Sequence, residues 1–116
     1  MEIGDHTLIA SRVFITDTSY GNYEGENSSS PQKPPNSREL FYKAVKIGKS
    51  VLIGENVSIL SGVEIGNGCV IGANSVVTKS VGENCIVVGA PVVVIKNMIL
   101  TKKVGRVETI NNMQYL

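Results

Sequence analysis

The stretch "IGKSVLIGENVSILSGVEIGNGCVIGANSVVTKSVG", residues 47–82, repeats itself every six residues. The first positions are Ile47, Ile53, Ile59, Ile65, Ile71 and Val77. The fifth positions are Val51, Val57, Val63, Cys69, Ser75 and Val81, all small or aliphatic, and glycine holds the second position in four of the six hexads. A period of six matches neither an α-helix nor the two-residue alternation of a simple strand. It fits a parallel β-helix, in which short flat strands meet at tight corners and three hexads make one triangular coil. Successive coils then stack about 4.8 Å apart through strand-to-strand hydrogen bonds. The first and fifth positions point into the prism. The second-position glycine lies near a corner, where the missing Cβ lets the backbone bend or approach its neighbour.

Outward from this block, the same register occupies the start of the chain. "IGDHTLIASRVFITDTSY", residues 3–20, places Ile3, Ile9 and Ile15 at first positions, with Thr7, Val13 and Ser19 at fifth positions. The predicted coils are 3–20, 47–64 and 65–82. Residues 83–96, "ENCIVVGAPVVVIK", continue the β pattern less regularly and finish the stack. Residues 1–96 therefore read as one all-β domain, interrupted over about 21–43 by a polar loop insert, "GNYEGENSSSPQKPPNSRELFYK". A loop of that length in a compact domain is functional or disordered. The tail, 97–116, loses the beat. The beat begins at Ile3 with no cap before it, and an open coil exposes unpaired backbone groups. Either another chain covers that edge, or an N-terminal part is missing.

Composition narrows the function classes. Apolar residues make up 42% of the 116 and charged residues 18%, which is the balance of one globular domain. Twelve glycines against two phenylalanines mean that small aliphatic side chains build the core. A net charge of +1, with scattered basic residues, gives no field or stacking platform for nucleic acid and none for an acidic membrane. No basic leader precedes an apolar run, and no run approaches the ~20 residues of a membrane helix. Two cysteines make no disulfide framework, so a cytoplasmic chain with reduced thiols is expected, Cys69 being buried and inert. His6, the only histidine, falls at a solvated turn. One histidine cannot supply a three-histidine zinc site, so no metal is expected. The flat threonine arrays of ice-binding solenoids are also missing.

The segments "IGDHTLIASRVFITD" and "IGENVSILSGVEIGNGCVIGANSVVTKSV…VVGAPVVVIK" resemble the hexapeptide-repeat acyltransferases, over residues 2 to about 96. "GANSVVTK" followed by "GAP" is close to a signature of the group. The chain looks most like its galactoside and maltose O-acetyltransferase branch and the acetyltransferases of surface-polysaccharide synthesis. The resemblance implies a left-handed solenoid, a homotrimer, and acetyl-coenzyme A in a groove between neighbouring solenoids. It further implies that a histidine removes the proton of a sugar hydroxyl as that oxygen attacks the thioester. Carried over by position, Ala73 and Asn74 would offer backbone groups to the pantetheine arm, Thr78 and Lys79 would lie near the coenzyme, and Lys96 would reach its phosphates. In the relatives the loop after the first coil helps to form the acceptor pocket, where Tyr23 would stack on a sugar.

Three positions depart from the family pattern. "TSYG" places Tyr20 where relatives carry the base histidine, Leu52 stands where they carry Trp, and Val93 where they often carry a cation. Phenols titrate near pH ~10 and imidazoles near ~6.5, so a tyrosine is a poor proton acceptor at neutral pH. General-base catalysis is worth about 10²–10⁴-fold. Asp17 is a candidate substitute, although a carboxylate is a weak base at neutral pH. Two functions follow: a sugar O-acetyltransferase with impaired catalysis, or a non-catalytic trimeric relative that binds coenzyme A or a partner chain.

Overall fold

The computed structural model describes residues 1–20 and 30–98, and Tyr20 by its backbone. The expectations for Tyr23 and for the tail beyond residue 98 lie outside the described residues. Among the described residues there are thirteen strands, nine of which follow the predicted beat. The first coil carries β1 (Glu2–Ile3), β2 (Leu8–Ile9) and β3 (Phe14–Ile15). Next come β4 (Thr18–Tyr20), a 3₁₀ turn at Pro35–Ser37, and β5 (Leu40–Tyr42). The second coil holds β6 (Lys46–Ile47), β7 (Leu52–Ile53) and β8 (Ser58–Ile59). The third holds β9 (Glu64–Ile65), β10 (Val70–Ile71) and β11 (Val76–Val77). The chain closes with β12 (Cys85–Gly89) and β13 (Val92–Asn97).

Parallel pairing sorts these strands into three faces. Face one is β1-β6-β9, face two is β2-β7-β10-β12 with β13 beyond it, and face three is β3-β8-β11. The registers stack like on like: Ile3 on Ile47 on Ile65, Ile9 on Ile53 on Ile71, Ile15 on Ile59 on Val77. The first and fifth positions are the core. Ile53, Ile59, Ile71, Val57, Val77 and Cys69 are wholly inaccessible. Each fully buried aliphatic of this kind contributes about 1.5–3 kcal/mol of transfer free energy.

The corners divide two tasks that the sequence reading had assigned to one glycine. Close approach belongs to the second position. A Cβ added to Gly4 would lie 2.6 Å from the Gly48 carbonyl, and one added to Gly54 would lie 2.8 Å from the Ala73 nitrogen. The bend belongs instead to the fourth position, which takes up positive φ at His6, Arg12, Ser50, Asn56, Gly62, Gly68 and Asn74. Asn and Gly tolerate that left-handed geometry best, and they fill four of those seven corners. His6 therefore sits at a corner, exposed.

A second correction concerns the register after Val77. Val81 bridges Ile65, although an unbroken beat would bring residue 83 there. The third coil is thus two residues short at its last corner, and Val81 occupies a first-position site. The shortening removes a backbone carbonyl from the stack, and the Ser80 hydroxyl replaces it by accepting the Glu64 N–H at 2.9 Å.

The two ends of the prism differ. At the far end the chain reverses through Gly89–Pro91, and β13 lies antiparallel on β12, covering its edge. Ser75, a wholly buried hydroxyl, accepts the Gly89 N–H at 3.2 Å and anchors that reversal. At the near end β1, β2 and β3 each pair on one side only. Accordingly Ile3 is 46% exposed, whereas its stacked partner Ile47 is 3% exposed. Where the insert returns to the prism, the chain is strand and not loop. β4 and β5 form an antiparallel ribbon with Thr18 opposite Tyr42 and Tyr20 opposite Leu40. The β-prone triplets Thr-Ser-Tyr and Leu-Phe-Tyr satisfy each other's backbone groups.

Candidate active site

The ribbon hangs from the third corner of the prism, between faces three and one. The chain leaves that corner after Ile15 and returns to it at Val45, which is wholly buried. In the second coil the same corner is Leu60–Ser61–Gly62, and in the third it is Thr78–Lys79–Ser80. Lys43 lies over Gly62 so closely that an added Cβ there would sit 3.3 Å from its aliphatic chain. Coil spacing places Lys79 about 10 Å along the axis from the foot of the ribbon. One edge of the molecule therefore gathers Asp17, the backbone of Tyr20, Lys43, Thr78 and Lys79. Thr78 and Lys79 are exposed and present a hydroxyl and a cation to solvent.

Asp17 is only 18% exposed through its side chain. Its carbonyl accepts the Lys43 N–H at 2.8 Å, and its Oδ1 accepts the Val45 N–H at 2.9 Å. The amino nitrogen of Met1 stands 3.5 Å from Oδ2. On its inner side the ribbon half-buries Ser19 and Phe41. On its outer side Leu40 and Tyr42 are 54% and 66% exposed.

The remaining candidates lie elsewhere on the prism. Ala73 and Asn74 form the second corner, between faces two and three. There the Asn74 N–H donates to the Glu55 carbonyl at 2.9 Å, and Asn56 Nδ2 donates to Asn74 Oδ1 at 2.8 Å. The Asn74 N–H is thus used within the stack. Lys96 lies on β13 opposite Ile86, at the far end of face two, half-buried. Leu52 projects from face two between Leu8 and Val70, and Val93 is exposed on β13. In a triangular prism, face two is the side opposite the third corner. Within one chain the candidates therefore form two groups on opposite sides.

The sequence reading did not single out face one. It carries a shallow hollow of about 540 Å³ whose lining includes Glu2, Lys46, Glu64, Ser80 and Glu83. Lys46 Nζ and Glu64 Oε1 are 3.9 Å apart across it, an exposed pair of little energetic weight. The two thiols belong to the scaffold. Cys69 and Cys85 are buried and unpaired, and burial pushes the Cys69 thiol up from its ordinary value, so it stays protonated and unreactive. Among the described residues, no group of three or more His, Cys, Asp or Glu is placed to hold a metal ion. Among them, too, no helix is long and apolar enough to cross a membrane.

Residues 44–79 match the family model described as bacterial transferase hexapeptide (six repeats). Over 95 residues, the chain is 52% identical to the putative lipopolysaccharide biosynthesis O-acetyl transferase WbbJ of Escherichia coli (strain K12). The chain belongs to the hexapeptide-repeat acyltransferase family. Its fold is the left-handed parallel β-helix of that family. The alignment with WbbJ takes in 81% of this chain and 48% of the relative, so this hexapeptide-repeat chain spans about half the length of the curated relative it matches. Solved structures agree. A hexapeptide-repeat acetyltransferase of Vibrio cholerae O1 biovar eltor, complexed with acetyl coenzyme A, superposes with a TM-score of 0.71 at 33% identity, covering 82% of this chain and 48% of the other. A galactoside acetyltransferase in complex with coenzyme A gives 0.68 at 36% identity, covering 82% and 44%.

Proposed function

We propose that this chain carries the catalytic solenoid of an acetyl-coenzyme A-dependent O-acetyltransferase that modifies a sugar hydroxyl of a polysaccharide precursor in the cytoplasm. The observation that carries this reading is the third corner. One edge holds both the ribbon bearing the family's base position and the Thr78–Lys79 pair expected beside the coenzyme. In the reaction, the acceptor oxygen attacks the thioester carbonyl carbon, the C–S bond breaks, and coenzyme A leaves as a thiol. The hydroxyl proton passes through a base to the departing sulfur. Tyr20 supplies no ready base, so the transfer is slow.

The division of candidates between opposite sides of the prism supports a homotrimer. Ala73, Asn74 and Lys96 can join Thr78, Lys79 and the ribbon only if face two and the second corner of one copy approach the third corner of the next. Such a head-to-tail contact closes into a ring. The outer row of face two, Leu8, Leu52, Val70 and Ile86, is apolar, and Leu8 is 64% exposed, which suits a contact surface. Leu52→Glu would place a charge in that row, and sedimentation is expected to show monomers in place of trimers. A native chain that already sediments as a monomer removes this part of the reading.

The test of function is release of coenzyme A from acetyl-coenzyme A against a panel of sugars. Acceptor-dependent release is expected, with sugars giving more than water alone. In the same assay Lys79→Ala is expected to raise KM for acetyl-coenzyme A about 5- to 20-fold, the loss of one charge-assisted contact, while kcat stays near native. Tyr20 favours a second reading, a trimer that binds coenzyme A without turning it over. Saturable coenzyme A binding with no release above background would select it.

A further inference from the structure

We infer that Asp17 is a positioning residue for acetyl transfer, a clamp that fixes the foot of the ribbon. In the second coil the chain rounds the third corner through Leu60–Ser61–Gly62, and backbone alone closes the turn, the Val63 N–H donating to the Leu60 carbonyl at 3.4 Å. In the first coil the insert opens that same corner. Val45, the residue stacked on Val63, is wholly buried, and its N–H has lost the local carbonyl that closed the turn below. Asp17 Oδ1 takes that role at 2.9 Å, while the Asp17 carbonyl accepts the Lys43 N–H at 2.8 Å. The outgoing and returning arms are thereby tied at two points, one residue before β4 begins and one after β5 ends.

The clamp determines where the ribbon stands. Tyr20 lies three residues beyond Asp17 on β4, and the pairing of Thr18 with Tyr42 starts directly at the tie. A short two-stranded ribbon has little stability of its own. Its angle to the prism is therefore held at its foot. A displacement of about 1 Å at a reacting group can cost on the order of 100-fold in rate. An acceptor in the Asp17 position serves this purpose whether or not it carries charge, which separates positioning from proton abstraction.

This inference rests on the transferase reading, and the experiment keeps the two apart. Asp17→Ala and Asp17→Asn are compared with the native chain by amide hydrogen exchange at Lys43 and Val45, by coenzyme A binding, and by sugar-dependent coenzyme A release. Asp17→Ala is expected to speed exchange at Val45 by about 10- to 100-fold. It is also expected to lower kcat by about tenfold or more, with coenzyme A affinity within about twofold, because Thr78 and Lys79 stand two coils away. Asp17→Asn keeps an Oδ1 acceptor and is expected to recover most of both the protection and the rate. Loss of rate in Asp17→Asn with Val45 still protected would show that the carboxylate acts chemically, and would overturn the proposal. Unchanged exchange in a folded Asp17→Ala chain would overturn it as well. If the native chain releases no coenzyme A, the transferase reading fails, and with it a role in transfer, while the exchange ratio still decides the clamp. Should Asp17→Ala not fold, the proposal stands or falls on Asp17→Asn.

Discussion

Tyr20→His raises sugar-dependent coenzyme A release by about 10²–10⁴-fold, the usual worth of a positioned general base, with KM for acetyl-coenzyme A little changed. At neutral pH an imidazole is largely free to accept a proton, whereas only ~0.1% of an ordinary phenol is deprotonated. The site that receives the new side chain already exists: residue 20 ends β4, paired with Leu40, on a ribbon tied at Asp17. The rate of the variant should rise with pH through the imidazole range, near ~6.5, and level off above it, a limb the native chain lacks. Steady-state rates across pH for both chains test this. Equal, measurable rates would mean that the native chain draws its base from elsewhere, and no release from either chain, both still binding coenzyme A, would favour the non-catalytic reading.

The second large effect is on stability. Ile53→Ala is expected to cost about 2–5 kcal/mol, because Ile53 is wholly buried between Ile9 above and Ile71 below and the stack cannot close over the space. For a domain of this size that corresponds to a fall in Tm of roughly 10–20 °C. Ile3→Ala, at an inward position of the first coil on face one, removes the same atoms from a side chain that is 46% exposed. Its cost should be about 1 kcal/mol or less, since much of the side chain already meets solvent. Thermal melts of both variants check the gradient. If Ile3→Ala matched Ile53→Ala, the near end of the prism would be covered in solution by another chain.

The solenoid was legible because its evidence is redundant. Ile47 to Ile71 recur without interruption, and each recurrence states the same inward direction. The shortened corner was not legible, since Val77 and Val81 still satisfy the first- and fifth-position rule and only the pairing of Val81 with Ile65 reveals the missing two residues. The bend at the fourth position carried a readable signal in Asn56, Gly62, Gly68 and Asn74. The second-position glycines are the more conspicuous feature of the same hexads. The ribbon was hidden by its surroundings, for Leu40–Tyr42 follows a stretch of Ser, Pro and Asn that reads as loop. The candidate site was only partly legible. Motif order places Ala73 and Thr78 five residues apart, yet they stand at different corners, and a six-residue beat assigns each to its corner only once the coil is closed into a triangle.

The third corner also bears on how such a chain can change. Face registers on either side of the insert are the same as between coils without one: Ile15 stacks on Ile59 as Ile59 stacks on Val77. The stack is therefore indifferent to what is spliced in at that point, provided the splice begins and ends at the Asp17 tie. On the proposed function, exchanging what lies between those tied arms would trade acceptor preference while the scaffold that holds them is left intact.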